Sequence, residues 1–151
     1  MKQGPERELV ARYLDRATGT GKPLGLTGFD AIELSESRAS SPATRKAEEA
    51  RALRTGIDTA AIVVALDERG KSIASEAFAK LIARWRDDGK SAAAFVIGGA
   101  DGLDPGFVSA TDLTLSFSPL TWPHQLVRIM LAEQLYRATT ILSGHPYHRG
   151  D

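Results

Sequence analysis

The stretch SAAAFVIGGADGLD, from Ser91 to Asp104, joins an apolar run to a glycine-rich end. The continuous apolar run is typical of a strand that is buried on both faces of a parallel sheet. It ends at Gly98, Gly99 and Gly102, and glycine allows both close approach to the backbone and positive φ angles. The stretch therefore predicts a buried strand followed by a glycine-rich turn. Either a ligand near the backbone or a tight turn alone would explain the glycines.

Strand and helix patterns alternate along the rest of the chain. Further strands are predicted at Phe29–Ser35 (FDAIELS), Ala60–Asp67 (AAIVVALD) and Asp112–Ser118 (DLTLSFS). Helical spacing predicts four helices. The first runs from Pro5 to the break at Gly19–Gly25, and the second is capped by serine before Pro42 and ends at Gly56. The third covers SEAFAKLIARWRDDG, and the fourth runs from about His124 to Ser143. This alternation is typical of a parallel α/β sheet with helices on both faces. No linker or internal repeat interrupts it, so residues 1–151 predict a single domain.

Composition excludes several classes of protein. The chain has 151 residues and no cysteine, which excludes disulfides, thiolate metal sites and cysteine nucleophiles. No apolar run is long enough to span a membrane, and the polar start MKQGPERELV is unlike a secretory signal. We therefore expect a cytoplasmic protein without a membrane partner.

The formal net charge is zero, so any contact with nucleic acid requires a local basic patch. The candidates in the predicted second helix and before it are Arg38, Arg45, Lys46, Arg51 and Arg54. Glu48 and Glu49 lie among them. A solvent-exposed helix face would account for the same pattern.

Three loops follow predicted parallel strands, at Leu66–Ser72, after Ile97, and at Leu115–His124. In open α/β sheets, ligands bind beyond the carboxyl ends of the strands, so these loops are candidates for one shared pocket. The glycine spacing GGxxG matches neither the dinucleotide-binding fingerprint nor a P-loop. It therefore disfavours a dehydrogenase of the Rossmann type.

Three separated motifs carry a specific resemblance to a known family. VIGGADGLDPGF, LSFSPLTWPHQLVRIMLAEQLYRA and HPYHRGD closely resemble the RlmH family, which are knotted methyltransferases of the SPOUT superfamily. The resemblance is strong from about Ala60 to the end and weaker over residues 1–59. The family begins with an apolar strand, whereas only MKQG precedes the first helix here. We therefore expect that strand to be missing and a neighbouring strand to gain an exposed edge.

The resemblance implies a parallel sheet with helices on both faces and a deep C-terminal trefoil knot. It also implies a homodimer that holds S-adenosylmethionine in the knot loops. The residues that it assigns to this cofactor are Leu66, Gly98, Gly99, Ser118, Pro119, Leu120, Thr121, Trp122 and Pro123. For Trp122, packing in the core or at the dimer interface is an equal alternative.

The resemblance further implies that the tail HPYHRGD acts on N3 of a pseudouridine in helix 69 of 23S rRNA, within assembled ribosomes. His148 would accept the N3 proton, Arg149 would stabilise negative charge on the base and contact phosphate, and Tyr147 would stack or hydrogen-bond. A disordered terminus is the alternative. We expect no metal, because Asp151 is the only acidic residue suitably spaced from His145 and His148.

The last predicted helix is apolar on more than one face. Mixed core and dimer-interface positions are expected at Val127, Met130, Leu131 and Leu135. Arg128 and Arg137 are candidates for ion pairs with Glu133, and His124 is expected to begin the helix rather than to act as a base. A non-catalytic ribosome-binding or assembly factor with the same fold is the alternative to the enzyme.

Overall fold

The computed structural model describes residues Gly4 to Arg149. The chain divides into two compact units, each made of separate segments. The helical unit comprises Met1–Ala31, Ile73–Gly89 and Gln125–Asp151, and the sheet unit comprises Ile32–Ser72 and Lys90–His124. The single domain inferred from the sequence stays a prediction.

The sheet unit contains a three-stranded parallel sheet. Its strands are β1 (Ile62–Lys71), β2 (Ala93–Ile97) and β3 (Leu113–Leu115), in the order β2-β1-β3. Three of the four predicted strands are thereby confirmed, although β3 is shorter than its sequence pattern. The parallel arrangement is also confirmed.

Strand β1 is longer than the sequence predicts, and this corrects the expected loop at Leu66–Ser72. Both Leu66 and Lys71 lie opposite Leu115 of β3, so the residues between them form a bulge. A Cβ on Gly70 would lie only 2.7 Å from backbone atoms of Thr114 and Leu115. After the bulge, β1 can therefore pair with β3 again because residue 70 has no side chain.

Helices α2 (Pro42–Gly56) and α4 (Pro105–Ser109) pack against one face of this sheet. Their shared core contains Ala50, Ala65, Val96, Leu103 and Phe107. The Ser41 side chain caps α2 by accepting the N–H of Thr44, as the sequence predicts. Helix α4 was not expected from the sequence. The Asp104 side chain caps it by accepting the N–H of Phe107.

The helical unit contains α1 (Pro5–Gly21), α3 (Ser75–Asp87) and most of α5 (His124–Ser143). These bounds confirm the three helices predicted there, including the first residue of α5. A 3-10 turn, Lys22–Leu24, follows α1. The predicted apolar face of α3 is inward, because Phe78 and Ile82 are buried.

The strand predicted at Phe29–Ser35 is wrong, because this segment has no regular secondary structure. A strand forms only beside a neighbour that shares its backbone hydrogen bonds, and within Gly4–Arg149 none pairs with this segment. Its apolar residues are therefore not buried, and Ile32 is 82% exposed. The expected absence of a first strand concerns Met1 to Gln3, which lie outside the described residues.

The bulge in β1 generates a stability prediction. We expect Gly70→Ala to lower the free energy of unfolding by about 1 to 3 kcal/mol, because the new methyl group overpacks against the backbone of β3. Gly19→Ala is the matched control. Nothing lies within 4 Å of its Cβ position in α1, so it should stabilise the protein by about 0.5 to 1 kcal/mol.

Thermal and urea unfolding of the wild-type chain and both variants would measure these changes. Equal stability of Gly70→Ala and wild type would contradict the close packing of the bulge against β3.

Candidate functional site

The ends of β2 and β3 lie at one level of the sheet, on either side of Leu66 in the central strand. Leu66 in the central strand is in register with Ile97 on one side and with Leu115 on the other. Ile97 is the last residue of β2 and Leu115 is the last residue of β3. The glycine-rich loop that begins at Gly98 and the second loop that begins at Ser116 therefore leave the same edge of the sheet. This is the edge at which parallel α/β sheets bind ligands.

The glycine-rich loop is a tight turn. The N–H of Gly102 donates to the carbonyl oxygen of Gly99 at 3.0 Å, and Gly102 has a φ of +83°. A Cβ on Gly98 would lie 2.6 Å from the carbonyl carbon of Gly102. Glycine at 98 and 102 is thus explained by the turn itself. The role of Gly98 and Gly99 in cofactor binding stays a prediction.

Polar side chains from earlier in the chain hold this turn. Arg45 of α2 forms an ion pair with Asp101 at 2.7 Å. The N–H of Ala100 donates to Glu36 Oε1 at 3.3 Å, and the same carboxylate oxygen lies 2.9 Å from where a Cβ on Gly99 would be. The Arg45 guanidinium holds the pKa of Asp101 below its usual value, so the ion pair persists at neutral pH.

The second loop is shaped by its own hydroxyl groups. Ser116 Oγ donates to the carbonyl oxygen of Ser118 at 2.9 Å and accepts the N–H of Ser118 at 3.1 Å. Ser118 Oγ accepts the N–H of Leu120 at 2.9 Å. Thr121 Oγ1 donates to Glu68 in the β1 bulge at 3.2 Å. The bulge of β1 is thereby connected to the loop that follows β3.

Apolar side chains of the second loop face solvent. Leu120 is 65% exposed and Trp122 is 40% exposed, and Pro119 and Pro123 are also exposed. This exposure argues against a core role for Trp122 within the chain. Contact of Trp122 with a cofactor or with a second subunit stays a prediction.

The tail turns back onto α5 through a Schellman motif. Gly144 has a φ of +75°, and the N–H of His145 donates to the carbonyl oxygen of Thr140 at 2.9 Å. The ring of Tyr147 then packs 4.6 Å from the ring of Tyr136. Its hydroxyl donates to Glu133 Oε2 at 2.8 Å. The tail up to Tyr147 is therefore folded against the helix.

Both ring nitrogens of His148 have partners. Nδ1 lies 3.1 Å from Arg137 Nη1, and Nε2 lies 2.8 Å from Glu76 Oε1. A guanidinium only donates, which assigns Nδ1 as an acceptor and Nε2 as the protonated nitrogen. His148 in turn holds the pKa of Glu76 below its usual value through this hydrogen bond.

The ion pair expected between Arg137 and Glu133 is confirmed, with Nη2 and Oε2 2.8 Å apart. Glu133 thus accepts from both Arg137 and Tyr147. Burial, followed by the hydrogen bond to Glu133, raises the pKa of Tyr147 well above its usual value. The phenol therefore stays protonated and donates throughout the neutral range.

The basic residues predicted as phosphate contacts differ in their surroundings. Arg45 is occupied by Asp101, and the Arg54 guanidinium lies 5.4 Å from the ring centre of Phe107. Arg38, Arg51 and Arg149 are exposed.

No group of three potential metal ligands occurs among the described residues, and Asp151 lies outside them. His145 Nδ1 accepts the N–H of Tyr147 at 3.1 Å. Within the described part of the chain, no helix is long and apolar enough to cross a membrane.

Comparisons with known proteins identify the family. A family model described as a predicted SPOUT methyltransferase matches residues 1–148. A protein of Rhizobium etli named ribosomal RNA large subunit methyltransferase H is 55% identical over 149 residues, which cover 99% of this chain and 93% of that protein. The chain belongs to the RlmH family of SPOUT methyltransferases.

Two other RlmH proteins support this membership. Those of Brucella anthropi and Rhodopseudomonas palustris carry the same name and are 55% and 56% identical, again over 99% of this chain and 93% of each relative. The family resemblance inferred from the sequence motifs is therefore confirmed. The roles of individual site residues are not tested by these comparisons.

Sequence reasoning missed the long-range pairings that hold two of these RlmH motifs in place. Asp101 lies inside a recognised motif, but Arg45 is 56 residues away in sequence. Glu76 is 72 residues away from His148. No local pattern pairs such residues, so only the folded chain reveals them.

The raised pKa of Tyr147 generates a pH prediction. Between the ordinary tyrosine pKa of 10.0 and the higher folded value, the unfolded chain loses this proton while the folded chain keeps it. Stability that is present below about pH 10 is therefore lost as the pH rises further. The unfolding midpoint of the wild type should fall more steeply above that pH than the midpoint of Tyr147→Phe.

Parallel thermal scans across the alkaline range would test this difference, since all other titrating groups are common to both proteins. Identical slopes would show that the Tyr147 phenol ionises normally.

Proposed function

We propose that this chain is an S-adenosylmethionine-dependent methyltransferase of large-subunit ribosomal RNA. Its target would be N3 of a pseudouridine in helix 69 of 23S rRNA, within the assembled ribosome. The observation that carries the proposal is the common level of Leu66, Ile97 and Leu115, from which both motif loops leave one sheet edge. The names of the relatives support ribosomal RNA as the substrate.

The residues at this edge fit the proposed cofactor. An adenosine group is recognised by apolar side chains together with a few backbone groups, and Leu120 and Trp122 present such side chains to solvent. The residues that would hold the cofactor are those of the motif: Leu66, Gly98, Gly99, Ser118, Pro119, Leu120, Thr121, Trp122 and Pro123. When bound, S-adenosylmethionine supplies an electrophilic methyl group.

The tail supplies groups for the base. N3 of pseudouridine carries a proton that must leave for the nitrogen to become nucleophilic, and we assign its acceptance to His148. Nδ1 is the atom suited to this step, because Nε2–H already donates to Glu76, and that hydrogen bond fixes the tautomer and the orientation of the ring. The hydrogen bond from Arg137 Nη1 to Nδ1 must then break, while the hydrogen bond from Arg137 Nη2 to Glu133 is kept.

Neighbouring tail residues have different proposed roles. Arg149 is exposed, and its permanent positive charge would stabilise the negative charge that develops on the base. Tyr147 keeps its phenol protonated against Glu133, so we assign it to stacking or hydrogen bonding rather than to proton abstraction.

Binding to the ribosome requires contacts with phosphate. Arg38, Lys46, Arg51 and Arg54 are the candidates in the sheet unit, with Arg149 in the tail. A net charge of zero gives little general attraction to RNA, so recognition of an assembled ribosome in the cytoplasm fits the chain better than binding to free RNA. The same proposal includes a homodimer, which would double these contacts. It also includes a C-terminal trefoil knot and helices on both faces of the sheet.

The function is tested with radiolabelled S-adenosylmethionine and ribosomes from a strain that lacks this gene. We expect label on one pseudouridine of the large subunit, which is then mapped. Cofactor binding without transfer to intact ribosomes or free 23S rRNA would favour the alternative of a non-catalytic ribosome-binding factor. Absence of both binding and transfer would overturn the assignment.

The role of His148 is tested by His148→Ala. We expect methyl transfer to fall by about 100-fold or more, the usual contribution of a general base, with the dissociation constant for S-adenosylmethionine unchanged. His145→Asn is the matched control, because it alters the other tail histidine and retains an acceptor for the N–H of Tyr147. Single-turnover rates that fall equally in both variants would instead indicate general disturbance of the tail.

A further inference from the structure

Arg45 bonds to two separate parts of the sheet unit. Its Nε and Nη2 donate to the two carboxylate oxygens of Asp101 at 2.7 and 3.2 Å. Its Nη1 donates to the carbonyl oxygen of Ala39 at 2.9 Å, and Ser40 offers a second carbonyl oxygen at 3.4 Å. One side chain of α2 thus holds both the glycine-rich turn and the segment that leads into α2.

That leading segment is itself fixed to α2 and to the turn. The N–H of Ser37 donates to Glu49 Oε2 at 2.9 Å, and the Ser37 hydroxyl bonds to Glu48. Glu36 accepts the N–H of Ala100 in the turn. Polar contacts therefore connect the turn, the segment and α2 to one another. Arg45 of α2 bonds to both the turn and the segment.

The turn has particular need of such support. Three of its residues, Gly98, Gly99 and Gly102, carry no side chain, and glycine loses more backbone freedom on ordering than any other residue. The Arg45 and Asp101 side chains are only 27% and 24% exposed. Their two parallel hydrogen bonds fix orientation as well as distance. An Arg–carboxylate pair of this kind restricts the turn more than a single contact would.

We propose that Arg45, acting through Asp101, positions the glycine-rich turn for S-adenosylmethionine. The inference rests on the proposed function, which assigns Gly98 and Gly99 to that cofactor. It makes Arg45 a positioning residue rather than a phosphate contact, since its guanidinium is already satisfied within the chain. Asp101 is its required partner.

The decisive variant is Arg45→Lys, because it keeps the positive charge but loses the planar fork. Arg45→Gln and Asp101→Asn remove the charge from each partner in turn. Each purified variant is titrated with S-adenosylmethionine by calorimetry in the absence of RNA, and KM values are then determined separately for the cofactor and for ribosomes. Thermal unfolding is recorded alongside.

We expect all three variants to raise the dissociation constant and KM for the cofactor by about tenfold, the size of effect that a lost charge-assisted hydrogen bond produces. KM for ribosomes should be unchanged in Arg45→Lys. The double variant Arg45→Gln/Asp101→Asn should bind no worse than either single variant, because both remove one shared interaction.

Asp87→Asn is the matched control. Asp87 also pairs with an arginine, Arg86, at 2.9 Å, but its side chain is 66% exposed at the end of α3. We expect cofactor binding by this variant to equal that of the wild type.

The possible results separate the proposals. If the wild-type chain fails to bind S-adenosylmethionine, the proposed function fails. If it binds and the Arg45 and Asp101 variants bind equally well, the positioning role is wrong. A purely structural role would lower the unfolding temperature and the active fraction while leaving the dissociation constant of the folded fraction unchanged. A raised ribosome KM with unaltered cofactor affinity would identify Arg45 as an RNA contact instead.

Discussion

The parallel register of β1 with its two neighbours is the constraint on which the candidate site depends. Leu66 lies opposite both Ile97 and Leu115, so the segments that follow β2 and β3 begin side by side. A one-residue shift would turn every side chain of the shifted strand to the opposite face. It would also separate the two loops along the sheet. The core of Ala65, Val96 and their neighbours opposes such a shift, so packing beneath the sheet determines the geometry at its edge.

Much of this architecture is encoded in local sequence. Buried parallel strands require unbroken apolar runs, and the runs ending at Ile97 and near Leu66 are readily recognised. Helix α2 is equally clear, because Ser41 and Pro42 give it a defined start. The segment Phe29–Ser35 has a strand pattern but no strand. Pairing is a property of two segments, and an alternating pattern describes only one of them.

Long-range contacts could not be predicted from local sequence either, because each of them also depends on two separate segments. The bulge of β1 depends on the approach of Gly70 to Thr114 and Leu115, which no glycine pattern in DERGK reveals. The sequence motif left open whether the glycines make room for a ligand or form a tight turn. In the fold, Gly98 and Gly102 make the turn possible. Charged side chains from distant positions then hold it.

The contacts that order the tail involve the same side chains to which the proposed function assigns the chemistry. Glu133 accepts from both Arg137 and Tyr147, and Arg137 also donates to His148. In the proposed proton transfer, Arg137 would lose its hydrogen bond to His148 but keep its contact with Glu133, so freeing Nδ1 would cost one hydrogen bond rather than a whole ion pair. Glu76 meanwhile keeps its hydrogen bond to Nε2 and so fixes the orientation of the ring. The contacts that order the tail are therefore compatible with the role of base proposed for His148, because its two ring nitrogens have different partners.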